Sequence, residues 1–365
     1  MKNSYEAIFG LGGKKKDEEK KSSESKPVSG ENPVEQEQSS SELENATSIK
    51  KEILEITQGK NLEDLALEDL QKVLAKYKEM EIALGLPEAE PKGDVREQMQ
   101  RAKEIMGEDF FAHEEIEKAF GFKVSPELIP EVPFSREDLE RARELNQFLI
   151  LRVDKTGDGK PLTLAKMNEL LGGKTKDGSK ALYADDESGS GKIEDDSWYK
   201  DEDFALKDVP KLSWALVSKE VISSSPDKNY LDQTSEIVDY LKNEVFKGKE
   251  IPVEFQSAIS EFEKSKDGIE KLMNEDWEKA AEKLEGLAIT KLTRQTPAEA
   301  IYDIFVYFQN KGERLLENMY TWTSRRSSDG KLVLVGGFDS DGADVSSHRP
   351  DDSHDSLGVS FSRSL

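Results

Sequence analysis

Apolar positions along the chain fall into helical spacing first and strand spacing later. Ile49, Ile53 and Ile56 lie one turn apart, and Gly59 breaks the run. Leu62, Leu65, Leu70, Val73, Leu74, Tyr77 and Leu84 repeat the spacing until Gly85 and Pro87 stop it. The pattern predicts a helical hairpin over 45–90, since a 3.6-residue period places these side chains on one face. Pro87, Pro91 and Gly93 then read as a linker. Before the hairpin, residues 1–44 are Lys-, Glu-, Gln- and Ser-rich, and the composition predicts a disordered tail that cannot bury enough apolar area to offset ordering entropy.

From Asp94 onward the chain reads as a main domain, 94–365, that mixes both periods. Helices are predicted from Asp94 to about Met106, around Phe110 to Phe120, and from the N-cap Ser135 to about Asn146. Phe148-Leu149-Ile150-Leu151-Arg152-Val153 is short, apolar and bounded by a Gly/Asp turn, which predicts a buried strand. Leu164 to Leu171 is a short helix, and the Gly-, Ser- and Asp-rich stretch 174–196 reads as a mobile acidic loop. Leu212 to Val217 alternates as a second strand. Helices follow near 230–246, 253–264 and 269–284. Thr296-Pro297-Ala298-Glu299 is a capping box, with Pro at the first helical position of a long helix expected to reach Trp322. Leu332 to Val335 and Leu357 to Phe361 complete about four strands. The expected class is α+β: a small antiparallel sheet packed with several helices, preceded by the hairpin and the tail.

Composition narrows the chemistry. A formal charge of -24 opposes the Lys/Arg neutralisation of phosphates on which nucleic-acid binding depends, and opposes an anionic membrane surface. No nucleic-acid or membrane partner is therefore expected. With no cysteine, disulfides, thiolate zinc sites, iron–sulfur clusters and cysteine nucleophiles are excluded together. The opening residues carry no apolar stretch of signal-peptide length, and no run approaches the ~20 apolar residues of a membrane helix. These features favour a cytoplasmic protein.

Familiar motifs fail at single residues. His113-Glu114-Glu115-Ile116-Glu117 places Glu117 where a metalloprotease helix needs its second His. Gly172-Gly173-Lys174-Thr175 follows a helix, and Asn168 stands where a phosphate loop needs its first Gly. Asp154, Thr156 and Asp158 match the first half of a calcium loop, with Gly159 at its turn, but Ala165 replaces the bidentate Glu. An Asp/Gly turn is the leading reading there and calcium the alternative. One constellation survives. Asp339, Asp341, Asp344, His348, Asp351, Asp352, His354 and Asp355 crowd the last loop, and Asp339, Asp341, Asp344, His348 and His354 form a candidate ligand set for a divalent metal. Against it stands a solvated acidic hairpin tip. Arg325-Arg326, close by in sequence, is a candidate contact for an anion or a partner carboxylate, or an internal pair for the Asp-rich loop.

Several runs resemble a family of bacterial proteins of unknown function: Glu104 to Phe111, Trp198 to Phe204, Trp214 to Lys219, Gly312 to Glu317, Ser328 to Gly330, Val335 to Asp339 and Leu357 to Ser360. The resemblance covers about 100–365 and implies one fold unit there. It implies no activity, cofactor or catalytic residue. The leading expectation is thus a non-catalytic binding or scaffold protein, with a protein partner docking on the helical hairpin. The alternatives are a metal-dependent hydrolase using the Asp/His loop and a calcium binder at 154–158.

Overall fold

A computed structural model describes residues 47–57, 69, 71–73, 75, 76, 79, 93–183 and 197–364. The chain divides into two compact units, Met1–Pro91 and Lys92–Leu365. In the first unit residues 47–57 are helical, with Ile49 and Ile53 buried and Leu54 exposed on the other side. The tail 1–44, most of the second hairpin helix, and the linker before Gly93 lie outside the described residues.

The second unit is α+β and contains two four-stranded sheets, where one antiparallel sheet is expected. The first sheet has the order β1-β2-β3-β8, from β1 (Phe110–Phe111), β2 (Gln147–Arg152), β3 (Ser213–Val221) and β8 (Ser360–Ser364). The second has the order β6-β5-β4-β7, from β4 (Tyr320–Arg326), β5 (Leu332–Asp339), β6 (Gly342–His348) and β7 (Leu357–Gly358). Both are mixed, because β1 runs parallel to β2 and β7 parallel to β4. The chain passes from the second sheet to the first through the buried Val359, so the final strand ties the sheets together.

Helix α10 (Pro297–Lys311) lies between the sheets, with twelve of its fifteen residues buried. Thr296 and Glu299 close the expected capping box, and Gly312 ends the helix in the left-handed conformation at φ 82°. The predicted extension to Trp322 is therefore wrong. Leu315 and Met319 continue a helical spacing only by coincidence, and Tyr320-Thr321-Trp322-Thr323 forms β4, as its alternating aromatic and β-branched residues favour. Toward the first sheet, Tyr302 donates to the Leu151 carbonyl, and Asp303 receives two hydrogen bonds from Arg152 at 2.6 and 3.1 Å. Burial pulls Asp303 toward its neutral form, and Arg152 beside it, with Gln295 at 2.7 Å, opposes that pull. Toward the second sheet, Phe305 and Phe308 meet Phe338 edge-on at 6.2 and 5.2 Å.

The remaining helices pack around the two sheets. α1 (Val95–Met106), α2 (His113–Phe120) and α3 (Arg136–Glu144) belong to the core of the first sheet. α6 (Tyr230–Tyr240), with a π turn at Leu241–Val245, α7 (Val253–Glu275), α8 (Trp277–Gly286) and α9 (Ala288–Thr293) pack on Trp322, Leu332, Leu334 and Leu357 of the second. α7 runs through Gly268, where two helices are expected, because Ile269 and Met273 keep its buried face continuous. α4 (Leu164–Leu170) and α5 (Asp203–Leu206) are short connectors. Within the loop expected to be mobile, residues 174–183 are described: Lys174 pairs with Lys180, and Ala343 on the edge of β6 donates to the Ala181 carbonyl and accepts from the Tyr183 N–H, flanking the buried Leu182. Residues 184–196 lie outside the described residues.

Candidate functional site

The second sheet sorts the Asp/His region by alternation. Val333, Val335, Ala343 and Val345 point into the core that holds α10. Their neighbours face the other way, in cross-strand rows: Tyr320, Gly336 and Asp344; Trp322, Leu334 and Ser346; Leu332 and His348. On this face Trp322, Leu332 and Leu334 sit under the helices, while the β6 residues stay half-exposed. The result is a cavity of 230 Å³ lined by Tyr320, Leu334, Asp344, Ser346, His348, His354, Ser356 and Leu357. Two leucines and six polar side chains meet there, drawn from β4, β5, β6, the start of β7 and the segment before it.

Glycine shapes the wall. Gly336 leaves Tyr320 and Asp344 with nothing between them, and the Tyr320 hydroxyl donates to Asp344 Oδ2 at 3.0 Å. A Cβ on Gly336 would stand 2.1 Å from the Met319 carbonyl oxygen, and one on Gly337, at φ 54°, 2.5 Å from the Tyr320 hydroxyl. Burial, and then the Asp344 carboxylate, push the Tyr320 phenol up to about 12, so it stays a donor at neutral pH. The two imidazoles lie 5.9 Å apart between ring centres. His348 Nδ1 is 3.4 Å from Asp352, and its ring meets Trp322 edge-on at 6.3 Å.

The structure thus brings together three of the five predicted metal ligands: Asp344, His348 and His354. Asp339 and Asp341 stand apart in the β5–β6 turn, where Asp339 Oδ1 accepts from the Asp341 backbone N–H at 2.7 Å. Among the described residues no three His, Asp or Glu side chains converge as a metal requires. The divergence has a physical reason: alternation along β6 and the turn at 339–342 send the carboxylates in different directions. Tyr320, Ser346, Ser356 and the two leucines are missed by sequence reading, although apolar Ala343 and Val345, alternating with Asp344 and Ser346, carry the signal of a strand.

The calcium-like segment is a hairpin turn that occurs three times among the described residues. Thr156-Gly157-Asp158-Gly159-Lys160, Thr175-Lys176-Asp177-Gly178-Ser179 and Ser327-Ser328-Asp329-Gly330-Lys331 share one pattern. The first residue's hydroxyl donates to the Asp, its N–H bonds the fifth residue's carbonyl at 2.8–2.9 Å, and Gly takes φ of 81–89°. Asp158 is held down to about 2 by the Thr156 hydroxyl and then by Lys160. Its carboxylate serves the turn, and Asp154 lies against Lys155 at 3.7 Å. The arginine pair does not bond the Asp-rich loop, as an internal pairing there would require. Arg325 bonds Asp208 at 2.7 Å and Arg326 bonds Glu285 at 2.8 Å, so each is occupied away from the Asp-rich loop.

Two larger concavities lie elsewhere. A groove of 770 Å³ runs between α1 and α2, over Val95, Met99, Phe110 and Ile129, with His113 on its rim. A cleft of 530 Å³ beside the π turn carries Glu220, Glu236, Asp239 and Glu244. Of these, Glu236 pairs with Lys228 and Glu244 with Arg141.

No helix among the described residues is long and apolar enough to cross a membrane. No protein-family model, no curated protein and no solved structure matches the chain.

Proposed function

We propose that the protein acts by binding, and that the cavity on the second sheet takes a small primary amine, free or at the end of a lysine side chain. One observation carries this reading: six polar side chains from separate segments, a carboxylate among them, converge with two leucines on one cavity. Its volume suits a few heavy atoms. Asp344 supplies a carboxylate inside the cavity, and Asp339 adds negative potential at Tyr320. Ser346, Ser356 and the imidazoles offer further acceptors for an ammonium's three N–H groups. Within the cavity Asp344 accepts from Tyr320 and His348 lies against Asp352.

A second reading, the metal-dependent hydrolase, draws support from the two neighbouring imidazoles and from Asp352 at His348 Nδ1, an arrangement that leaves Nε2 for a metal. Isothermal titration with ethanolamine, with Nα-acetyl-lysine amide and with zinc separates the readings. Amine binding that disappears in Asp344→Asn supports the first, and the two amines tell a free ligand from a lysine end. Stoichiometric zinc lost in His348→Ala/His354→Ala, with no amine binding, replaces it with the second. Absence of both heats overturns the site.

A further inference from the structure

Three arginines are nearly inaccessible: Arg152 at 2%, Arg294 at 3% and Arg363 at 3%. Arg152 is paired with Asp303, and Arg363 has Asp138 at 3.5 Å. Arg294 has no carboxylate partner among the described residues. It follows α9 and lies face-on to Tyr230, its guanidinium carbon 3.9 Å from the ring centre. Nη2 makes two long bonds of 3.3 Å, to the Tyr230 carbonyl and the Thr234 hydroxyl, and Nε and Nη1 make none. A neighbour of Tyr230 is incomplete as well: Trp322, in edge contact with its ring, has an unbonded Nε1 donor.

Buried polar groups nearly always find partners, and a buried cation without a counter-charge is costly. Burial already lowers the affinity of this guanidinium for its proton, yet an arginine does not give that proton up at physiological pH. What is missing is negative charge and an acceptor. Tyr230, Thr234 and Thr290, which it contacts, are wholly buried, which favours a compact anion over an oxyanion or an organic acid.

We propose that Arg294 holds a halide-sized anion, chloride under ordinary conditions, inside the core between α6, α9 and β4. The anion would accept from the guanidinium N–H groups left over by Tyr230 and Thr234. This site is separate from the amine cavity and does not depend on it.

The test is thermal unfolding of the full chain in sodium chloride, bromide, fluoride or gluconate at one ionic strength, which holds constant the screening of the chain's net negative charge. The expected result is a higher midpoint in chloride and bromide than in fluoride or gluconate, and loss of that difference in Arg294→Met. Crystals grown in bromide should show an anomalous peak within hydrogen-bonding distance of Arg294. This second measurement needs only the native protein and still decides the matter if the variant does not fold. A midpoint indifferent to the anion, with water and no bromide at the guanidinium, overturns the proposal. So does an Arg294→Met protein that keeps the halide effect.

Discussion

The two faces of the second sheet are built from the same strands and differ in almost every other respect. One face presents Val333, Val335, Ala343 and Val345 to α10, and all four are essentially inaccessible. The other is closed over β4 and β5 by Trp322, Leu332 and Leu334, but on β6 it presents Asp344, Ser346 and His348 to a cavity. A period of two residues makes this division possible, since neighbouring positions can serve packing and recognition without competing. The difference teaches that side-chain loss on the first face should cost fold stability, while loss on the open half of the second should cost binding.

The sharpest way to break that contrast is to hollow the closed side. Phe338 is fully buried against Phe305 and Phe308, so Phe338→Ala should destabilise the unit by about 3–5 kcal/mol, read from urea unfolding. A cost no larger than that of a surface change would mean that α10 is not the centre of the core. Gly337→Ala comes next. Its φ of 54° costs an L-residue roughly 1–2 kcal/mol. The added carbon also meets the Tyr320 hydroxyl, so amine affinity should fall together with stability. Asp344→Asn should be milder for the fold, about 1 kcal/mol through its bond with Tyr320, while titration calorimetry should find the amine site abolished. Equal losses of stability for Asp344→Asn and Phe338→Ala would erase the distinction between the faces.

The smallest effect concerns the three turns. Asp158, Asp177 and Asp329 are all held below the ordinary carboxylate value by their turn hydroxyls and lysine, arginine or backbone partners. A carboxylate with a lowered folded value stabilises the fold fully above its unfolded value, about 3.9. That contribution is lost as pH falls through the folded value, about 2 for Asp158. The thermal midpoint should therefore drop between pH 4 and 2, and the drop should be shallower when all three are Asn. An unchanged slope would show that the hydroxyl–carboxylate bonds do not matter.

Much of this architecture is legible in the sequence, and the failures have local causes. The capping box at Thr296, the N-cap Ser135 and the apolar run at 148–153 sit where their chemistry places them. Gly312 is the true end of α10, but Leu315 and Met319 repeat the helical spacing beyond it and hide β4. β6 is hidden by composition: Asp344, Ser346 and His348 look like a polar loop unless Ala343 and Val345 are read with them. For the same reason only part of the candidate site is visible. Asp344, His348 and His354 are conspicuous as chemistry, whereas Tyr320 and Ser356 reach the cavity through pairing of β4 with β5 and β7, which no local pattern encodes.

The most direct test of the binding site follows the imidazole ring signals by NMR. The chain has only three histidines, so His348→Gln and His354→Gln assign them without ambiguity. On addition of ethanolamine, the signals of His348 and His354 should move in a saturable way while His113 stays still, and Asp344→Asn should abolish the movement. Signals that ignore the amine, or that move equally in Asp344→Asn, would contradict the cavity as the seat of binding.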